Sequence, residues 1–222
     1  MSERPPQTAI AFDQHAYQVR FEWGVDGLRR LAASDVIVVV DVLRFSTSVT
    51  DAAARGASVA LSDARATSIN GAAVAAAAAE RGGPSALVLA GCVRNASAVA
   101  RAILDEQVRR GARTSVAVVA AGELVSREPS APVRFAIEDQ LGAGAIIDAL
   151  AVRGIDHSSP EAAIAGESFR ALRRAARHLV SASGSGRELA AAGHGEDVSR
   201  AAQVDADTAV AVLRGGVFEP LV

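Results

Sequence analysis

Five consecutive β-branched residues, Val36-Ile37-Val38-Val39-Val40, set the terms for any fold this chain adopts. An amphipathic helix or a half-exposed strand would leave part of such a run in water. The run reads as a strand buried on both faces, which needs a cover on each side. Milder versions recur at Ala86-Leu87-Val88-Leu89-Ala90 and Val116-Ala117-Val118-Val119-Ala120, and Tyr17 to Trp23 alternates as a half-buried strand does. Helical patterns separate them, over Phe45–Arg55, Asn70–Arg81 and Asn95–Arg110, with a longer helical region over Ala136–Val152 and Pro160–Ser181. Strands alternating with helices imply βαβ units: an α/β fold whose mostly parallel sheet carries helices on both faces. Ala209 to Leu213 reads as a short last strand closed by the turn Arg214-Gly215-Gly216. Residues 1–8, polar with two prolines, are expected to be a flexible tail, and residues 9–222 a single domain.

Half of the 222 residues are hydrophobic but only 4% are aromatic, so Ala, Val, Leu and Ile must build the core. Every cation is Arg; the absence of Lys excludes Lys-based catalysis and, with it, a Walker-type phosphate loop. A formal charge of −2 gives no basis for nucleic-acid binding by counterion release. The single cysteine, Cys92, rules out an intramolecular disulfide and a Cys-based zinc cluster. No signal-like N-terminus and no membrane-length apolar run is present, so a cytoplasmic protein without a membrane partner is expected. The small-residue stretch Gly71–Ala79 is a good helix former and offers a surface for a homodimer.

In open α/β sheets ligands sit outside the carboxyl ends of the strands, so the residues following each strand carry the most information. After Val40 comes Asp41-Val42-Leu43-Arg44-Phe45-Ser46-Thr47-Ser48. A carboxylate at Asp41 suits a hard cation, the forked guanidinium of Arg44 suits phosphate or sulfonate, and Ser46 to Ser48 fall at a helix start that favours anions. The same segment also reads as an ordinary cap beside a surface ion pair. After Ala90, Arg94 and Asn95 open a second helix with Ser97 in its first turn. The third strand runs into Ala121-Gly122-Glu123. If these strands are neighbours, two arginines and two acids share one edge, an anion site with room for a divalent metal. Glu138 and Asp139 add carboxylates to the first turn of a later helix, where the helix dipole favours acids in any case. Gly142, Ala143 and Gly144 allow that helix to pack closely on the sheet.

Other phosphoryl-transfer patterns fail. Asp41-Val42-Leu43 lacks the second Asp of an aspartyl-phosphate phosphatase, and Cys92 stands too close to Arg94 for a cysteine-phosphatase loop. Cys92 reads as a small buried apolar residue. Gly184-Ser185-Gly186-Arg187 follows a helix rather than a strand, so it is no dinucleotide fingerprint. Of the four histidines only His194 lies in a loop that suits function.

The ordered set Asp41-Val42-Leu43-Arg44 with Ser46-Thr47-Ser48, Arg94-Asn95-Ala96-Ser97-Ala98-Val99, Ala121-Gly122-Glu123, and Glu138-Asp139 with Gly142 to Ile147 resembles 2-phosphosulfolactate phosphatases. Ser185-Gly186-Arg187-Glu188-Leu189, Asp197-Val198 and Val212-Leu213 resemble the family's ending. The resemblance implies a three-layer α/β/α fold with a mixed sheet and a Mg2+-dependent phosphatase. Its substrate would be a small anionic phosphoester, 2-phosphosulfolactate, converted to 3-sulfolactate on the way to coenzyme M. It implies Asp41 and Glu123 as catalytic acids and Asp41, Glu138 and Asp139 as metal ligands. Arg44, Thr47, Ser48, Asn70, Arg94, Asn95 and Ser97 would bind substrate.

The middle of the chain departs from that pattern. Family members carry a further segment, with Gly-Glu-Arg-Gly and Gly-Asn-Ser-Pro motifs, between the strand near Val59-Ala60-Leu61 and the loop Thr67-Ser68-Ile69-Asn70-Gly71. Here Ser62 to Ala66 alone bridges that gap. The loss of a strand-end loop supports a second reading, a small-anion-binding protein that has lost catalysis.

Overall fold

The structure, a computed structural model, describes residues 11–64, 68–82, 85–126, 128 and 131–221. The expected tail, residues 1–8, lies outside them, as do Thr67, Gly83 and Pro84. In chain order, β1 (Val19–Trp23) and α1 (Gly24–Arg30) lead into β2 (Val36–Val40) and α2 (Phe45–Ala54). Next come β3 (Val59–Ala60), α3 (Leu61–Ala64), α4 (Ile69–Gly82), β4 (Leu87–Gly91), α5 (Ala96–Arg110) and β5 (Val116–Ala120). A ribbon of β6 (Glu123–Leu124) and β7 (Val133–Arg134) precedes α6 (Ile137–Val152) and α7 (Pro160–Leu172). Short helices α8 (Ala176–Ala182), α9 (Gly184–Ala191) and α10 (Gly195–Ala201) then run into the hairpin of β8 (Ala211–Arg214) and β9 (Val217–Pro220).

The main sheet has seven strands in the order β1-β5-β2-β4-β8-β9-β3. β1, β5, β2 and β4 are parallel. Because β2 sits between β5 and β4, each of its faces must be covered, and its side chains alternate between two cores. Val36, Val38 and Val40 enter one core with Ile103 of α5 and Leu141 and Ile146 of α6. Ile37 and Val39 enter the other with Leu28 of α1, Phe45 and Val49 of α2, and Ala75 and Ala78 of α4. None of the five is more than 2% exposed, and each Val or Ile so buried contributes about 1.5–3 kcal/mol. The fold is a three-layer α/β arrangement, with α1, α2 and α4 on one face and α5, α6 and α7 on the other. Gly71, Ala72, Val74, Ala75 and Ala78 of the small-residue helix are buried inside the chain itself.

The sheet is mixed, because β8 runs antiparallel to β4, and β9 antiparallel to β8 and β3. The sequence pattern stops at the turn after Leu213, whereas the chain reverses there and adds a further strand. Gly215 and Gly216 both have positive φ, 54° and 80°, as a tight two-residue hairpin connection requires. The helical stretch expected over 160–181 is interrupted at Arg173–Ala175 by a 3-10 turn. Two helices the sequence pattern does not reveal, α9 and α10, follow it. Among the described residues no helix is long and apolar enough to cross a membrane.

The glycines of α6 divide their work. A Cβ at Gly142 would strike Val40 of the sheet and Val42 just beyond it, whereas one at Gly144 would strike the Ala165 carbonyl oxygen and Phe169 of α7. Gly144 therefore sets the approach of the two helices rather than of helix and sheet. Gly144→Ala is expected to lower stability by about 1–3 kcal/mol, the usual cost of overpacking, read as a reduced urea midpoint. A wild-type midpoint would mean that α6 and α7 are not in close contact there.

Candidate active site

Parallel pairing brings the carboxyl ends of β5, β2 and β4 side by side, with β2 in the middle. The three junctions singled out in the sequence therefore share one edge of the sheet. Asp41 stands at its centre and is 4% exposed. Its Oδ1 accepts from the Phe45 N–H at the start of α2 (3.2 Å). Its Oδ2 accepts from the Ser68 hydroxyl (2.6 Å) and from the Gly71 N–H in the first turn of α4 (2.9 Å). Two helix N-termini thus point at one carboxylate, the arrangement that favours negative charge. Gly71 is required for it, since a Cβ there would lie 2.5 Å from Oδ2. Burial nevertheless wins and raises the Asp41 pKa, with the negative charge of Glu123 adding to the effect.

Asp139 approaches from α6. Its Oδ1 accepts from the Val42 N–H (2.8 Å), just beyond β2, and its Oδ2 from the Gly122 N–H (2.9 Å), just beyond β5. One side chain thereby ties the start of α6 to both strand exits. Burial, then the charges of Asp41 and Glu138, holds its carboxyl well above the usual range. Glu138 is 3% exposed. Glu123, half-buried at the start of β6, accepts from Asn70 Nδ2 through Oε1 and from the Ser185 hydroxyl through Oε2, both at 3.3 Å. Asn70 also donates to the Gly122 carbonyl (3.0 Å).

The four acids have one property in common. Among the described residues no Arg or His lies within ion-pair distance of Asp41, Glu123, Glu138 or Asp139; every ion pair formed is elsewhere. Nor do three or more Asp, Glu, His or Cys side chains converge as a ready metal cage among those residues. The donors are hard oxygens short of positive charge, and Mg2+ commonly takes only one or two protein carboxylates, completing its shell with water and phosphate oxygens. The residues present fit that kind of ion.

The expected anion contacts separate into two groups. Arg44, three residues after Asp41 and part-exposed, places Nη1 on Asp197 of α10 (2.8 Å). Ser48 is exposed on α2, and the Thr47 hydroxyl donates to the Val42 carbonyl (2.8 Å), closing the loop after β2. Arg94 turns away, donating to the Arg200 carbonyl (3.0 Å), Gln203 (2.8 Å) and Asp207 (3.4 Å), with Nε facing Asp51 at 3.5 Å. Asn95 is fully buried; it accepts from the Cys92 N–H and donates to Thr50 and to the Ala90 and Ala209 carbonyls. Ser97 receives Asp205 on its backbone N–H (2.8 Å) and lines a groove of about 1430 Å3 between α5 and the β8–β9 hairpin. None of the four acids lines that groove.

Sequence reasoning missed Ser68, Ser185 and Asp197. Ser185 and Asp197 lie in motifs visible in the sequence, but nothing in their spacing says that they return to strand ends so far away in the chain. Cys92 is buried and free. His194 lies 3.5 Å from Asp197.

A family model described as 2-phosphosulpholactate phosphatase matches residues 63–216. The match includes Asn70, Arg94, Glu123, Glu138 and Asp139, while Asp41 and Arg44 precede it. No curated protein matches the chain.

Folded Asp139 holds its proton more tightly than the unfolded chain does. Its contribution to stability is therefore fullest below the ordinary carboxylate range and is lost as pH rises through its raised folded pKa. Wild type should accordingly exceed Asp139→Asn in urea stability by a larger margin at about pH 5 than at about pH 8. A margin independent of pH would show that the carboxyl is not charged against its neighbours.

Proposed function

The chain belongs to the 2-phosphosulpholactate phosphatase family, and on that premise we propose that it is a Mg2+-dependent phosphatase of a small, multiply anionic phospho-acid. The substrate is 2-phosphosulfolactate, hydrolysed in the cytoplasm to 3-sulfolactate and inorganic phosphate on the way to coenzyme M. The observation that carries this reading is the set of four carboxylates, two at adjoining strand ends and two in the first turn of α6, with no cationic partner among the described residues.

Asp41 and Glu138 are the acids that would hold Mg2+, which when bound supplies positive charge to the phosphoryl oxygens. Asp139 would join them; like those of Asp41, both of its oxygens also accept from backbone N–H groups, which holds the carboxylates in place. Glu123 is the least buried of the four and, among the described residues, is held by the neutral donors Asn70 and Ser185 alone, which suits it to orient and deprotonate a water. That water attacks phosphorus, the ester P–O bond breaks, and the leaving oxygen takes up the proton that Glu123 removed from the water, becoming the hydroxyl of 3-sulfolactate. Arg44 binds the phosphate or sulfonate; among the described residues its second terminal nitrogen has no partner, which suits a forked contact. Arg94 and Asn95 act as ties between the β4 exit and the C-terminal segment rather than as substrate contacts.

A second reading, a binder of small anions without turnover, draws on one feature. Among the described residues no strand stands between β3 and α4, so the site has one strand-end loop fewer than the family's pattern.

The purified chain should release phosphate from 2-phosphosulfolactate with Mg2+ and stop when the ion is chelated. Glu123→Gln should lower kcat by about 100-fold or more, the range for loss of a general base, with an unchanged circular dichroism spectrum. Turnover equal to wild type would remove Glu123 from the chemistry. Thermal stabilisation by sulfolactate with no phosphate release would favour the second reading.

A further inference from the structure

Glu123 carries three rotatable side-chain bonds and sits on a ribbon whose strands are two residues long. Left alone, such a side chain would sample several orientations. It does not stand alone. Asn70 holds Oε1 from the start of α4, and Ser185 holds Oε2 from the first turn of α9. Both donors are uncharged, so the carboxylate is fixed in direction while its charge is left available. Resting on the phosphatase reading above, we infer that Ser185 is a positioning residue for the reaction, which with Asn70 holds the Glu123 carboxylate in its reactive orientation.

The local sequence around Ser185 is built to aim it. Ser183, 5% exposed, caps α9: its Oγ accepts from the Gly186 N–H (3.0 Å) and donates to the Val180 carbonyl (2.9 Å). A Cβ at Gly186 would collide with that same Val180 carbonyl, so the helix start tolerates no side chain there. Ser183-Gly184-Ser185-Gly186 thus begins α9 along one path, with the Ser185 hydroxyl directed at the ribbon. The segment is also firmly seated. Ala176, Val180 and Ala201 belong to the main core, and α10 is pinned to α2 by Asp197 on Arg44 and by Arg200 on Asp51. The glycine-rich stretch that fails as a dinucleotide motif acquires a different task, to carry a hydroxyl from the far end of the chain onto a catalytic acid.

A mere docking contact between α9 and the ribbon would affect stability and leave turnover alone. Positioning predicts the opposite pattern. Ser185→Ala should lower kcat by about 10- to 100-fold, the usual cost of losing a supporting hydrogen bond, with KM unchanged, and Ser185→Thr should restore most of it. Asn70→Ala should lower kcat in the same way. In a Glu123→Gln background, Ser185→Ala should cause no further loss. A Ser185→Ala enzyme with wild-type kcat and a reduced Tm, a change confined to KM, or additive losses in the double variant would each overturn the inference while leaving the phosphatase reading intact. A wild-type chain without phosphate release would overturn both.

Discussion

The carboxylate of Asp139 lies where three parts of the fold meet. Its two oxygens take the second backbone amides beyond β2 and beyond β5, amides that no longer have a strand to pair with. Leaving either buried donor unsatisfied would cost about 1–3 kcal/mol, so the acid at the head of α6 completes the hydrogen bonding of two strand exits at once. Everything else at this edge follows from that bridge. With Val42 and Gly122 fixed relative to each other, Asp41 and Glu123 are neighbours, and the helix that carries Glu138 is set against them. The bridge has an electrostatic cost, visible in the raised pKa of Asp139 beside Asp41 and Glu138. Stability and charge are in tension at the same atoms, and a bound cation would relieve that tension.

Arginine is used on the opposite principle. Arg44, Arg94 and Arg200 pair with Asp197, Asp51 and Asp207 along the seam between α2 and the C-terminal helices. Arg94 is the most deeply set of these, 8% exposed. Truncating one partner of such a buried pair is far more damaging than the pair's net worth suggests, because the other charge is left stranded. These two polar regions are thus of different kind. One is neutralised and holds the C-terminal segment down; the other is unneutralised and faces the strand ends.

How far these features were legible in the sequence depended on how local their causes are. The Val36–Val40 run announces a doubly covered strand because five β-branched residues have no other comfortable environment. Asp41 and Glu123 were found by the rule that strand ends carry ligands, which needs only the strands themselves. Asp139 was visible as an acid in a first helical turn, a place where acids occur for generic reasons, so its bridging role could not be separated from the background. The helix-start positions of Arg94 and Asn95 suggest an anion, yet their side chains answer to Gln203, Asp207 and Ala209, residues more than a hundred positions away. The strand Val217–Pro220 carries no sequence signature, being four residues long and ending in proline. Family membership and the three-layer fold rest on many weak signals in order; individual side-chain roles rest on single long-range contacts.

The route of the chain through the site has a consequence for how the protein comes to be assembled. Asp41 follows the second strand, Asn70 belongs to a helix before β4, Glu123 to the ribbon after β5, and Ser185 to the C-terminal helices. Contacts of such long sequence separation form late, because the intervening chain must first be ordered. During synthesis the N-terminal strands emerge long before the segment that braces Glu123. A nascent chain can therefore hold every acid and most of its sheet while the bracing hydroxyl is still inside the ribosome. In such a protein, helix and strand content report that folding has begun, and the geometry around one glutamate reports that it has ended.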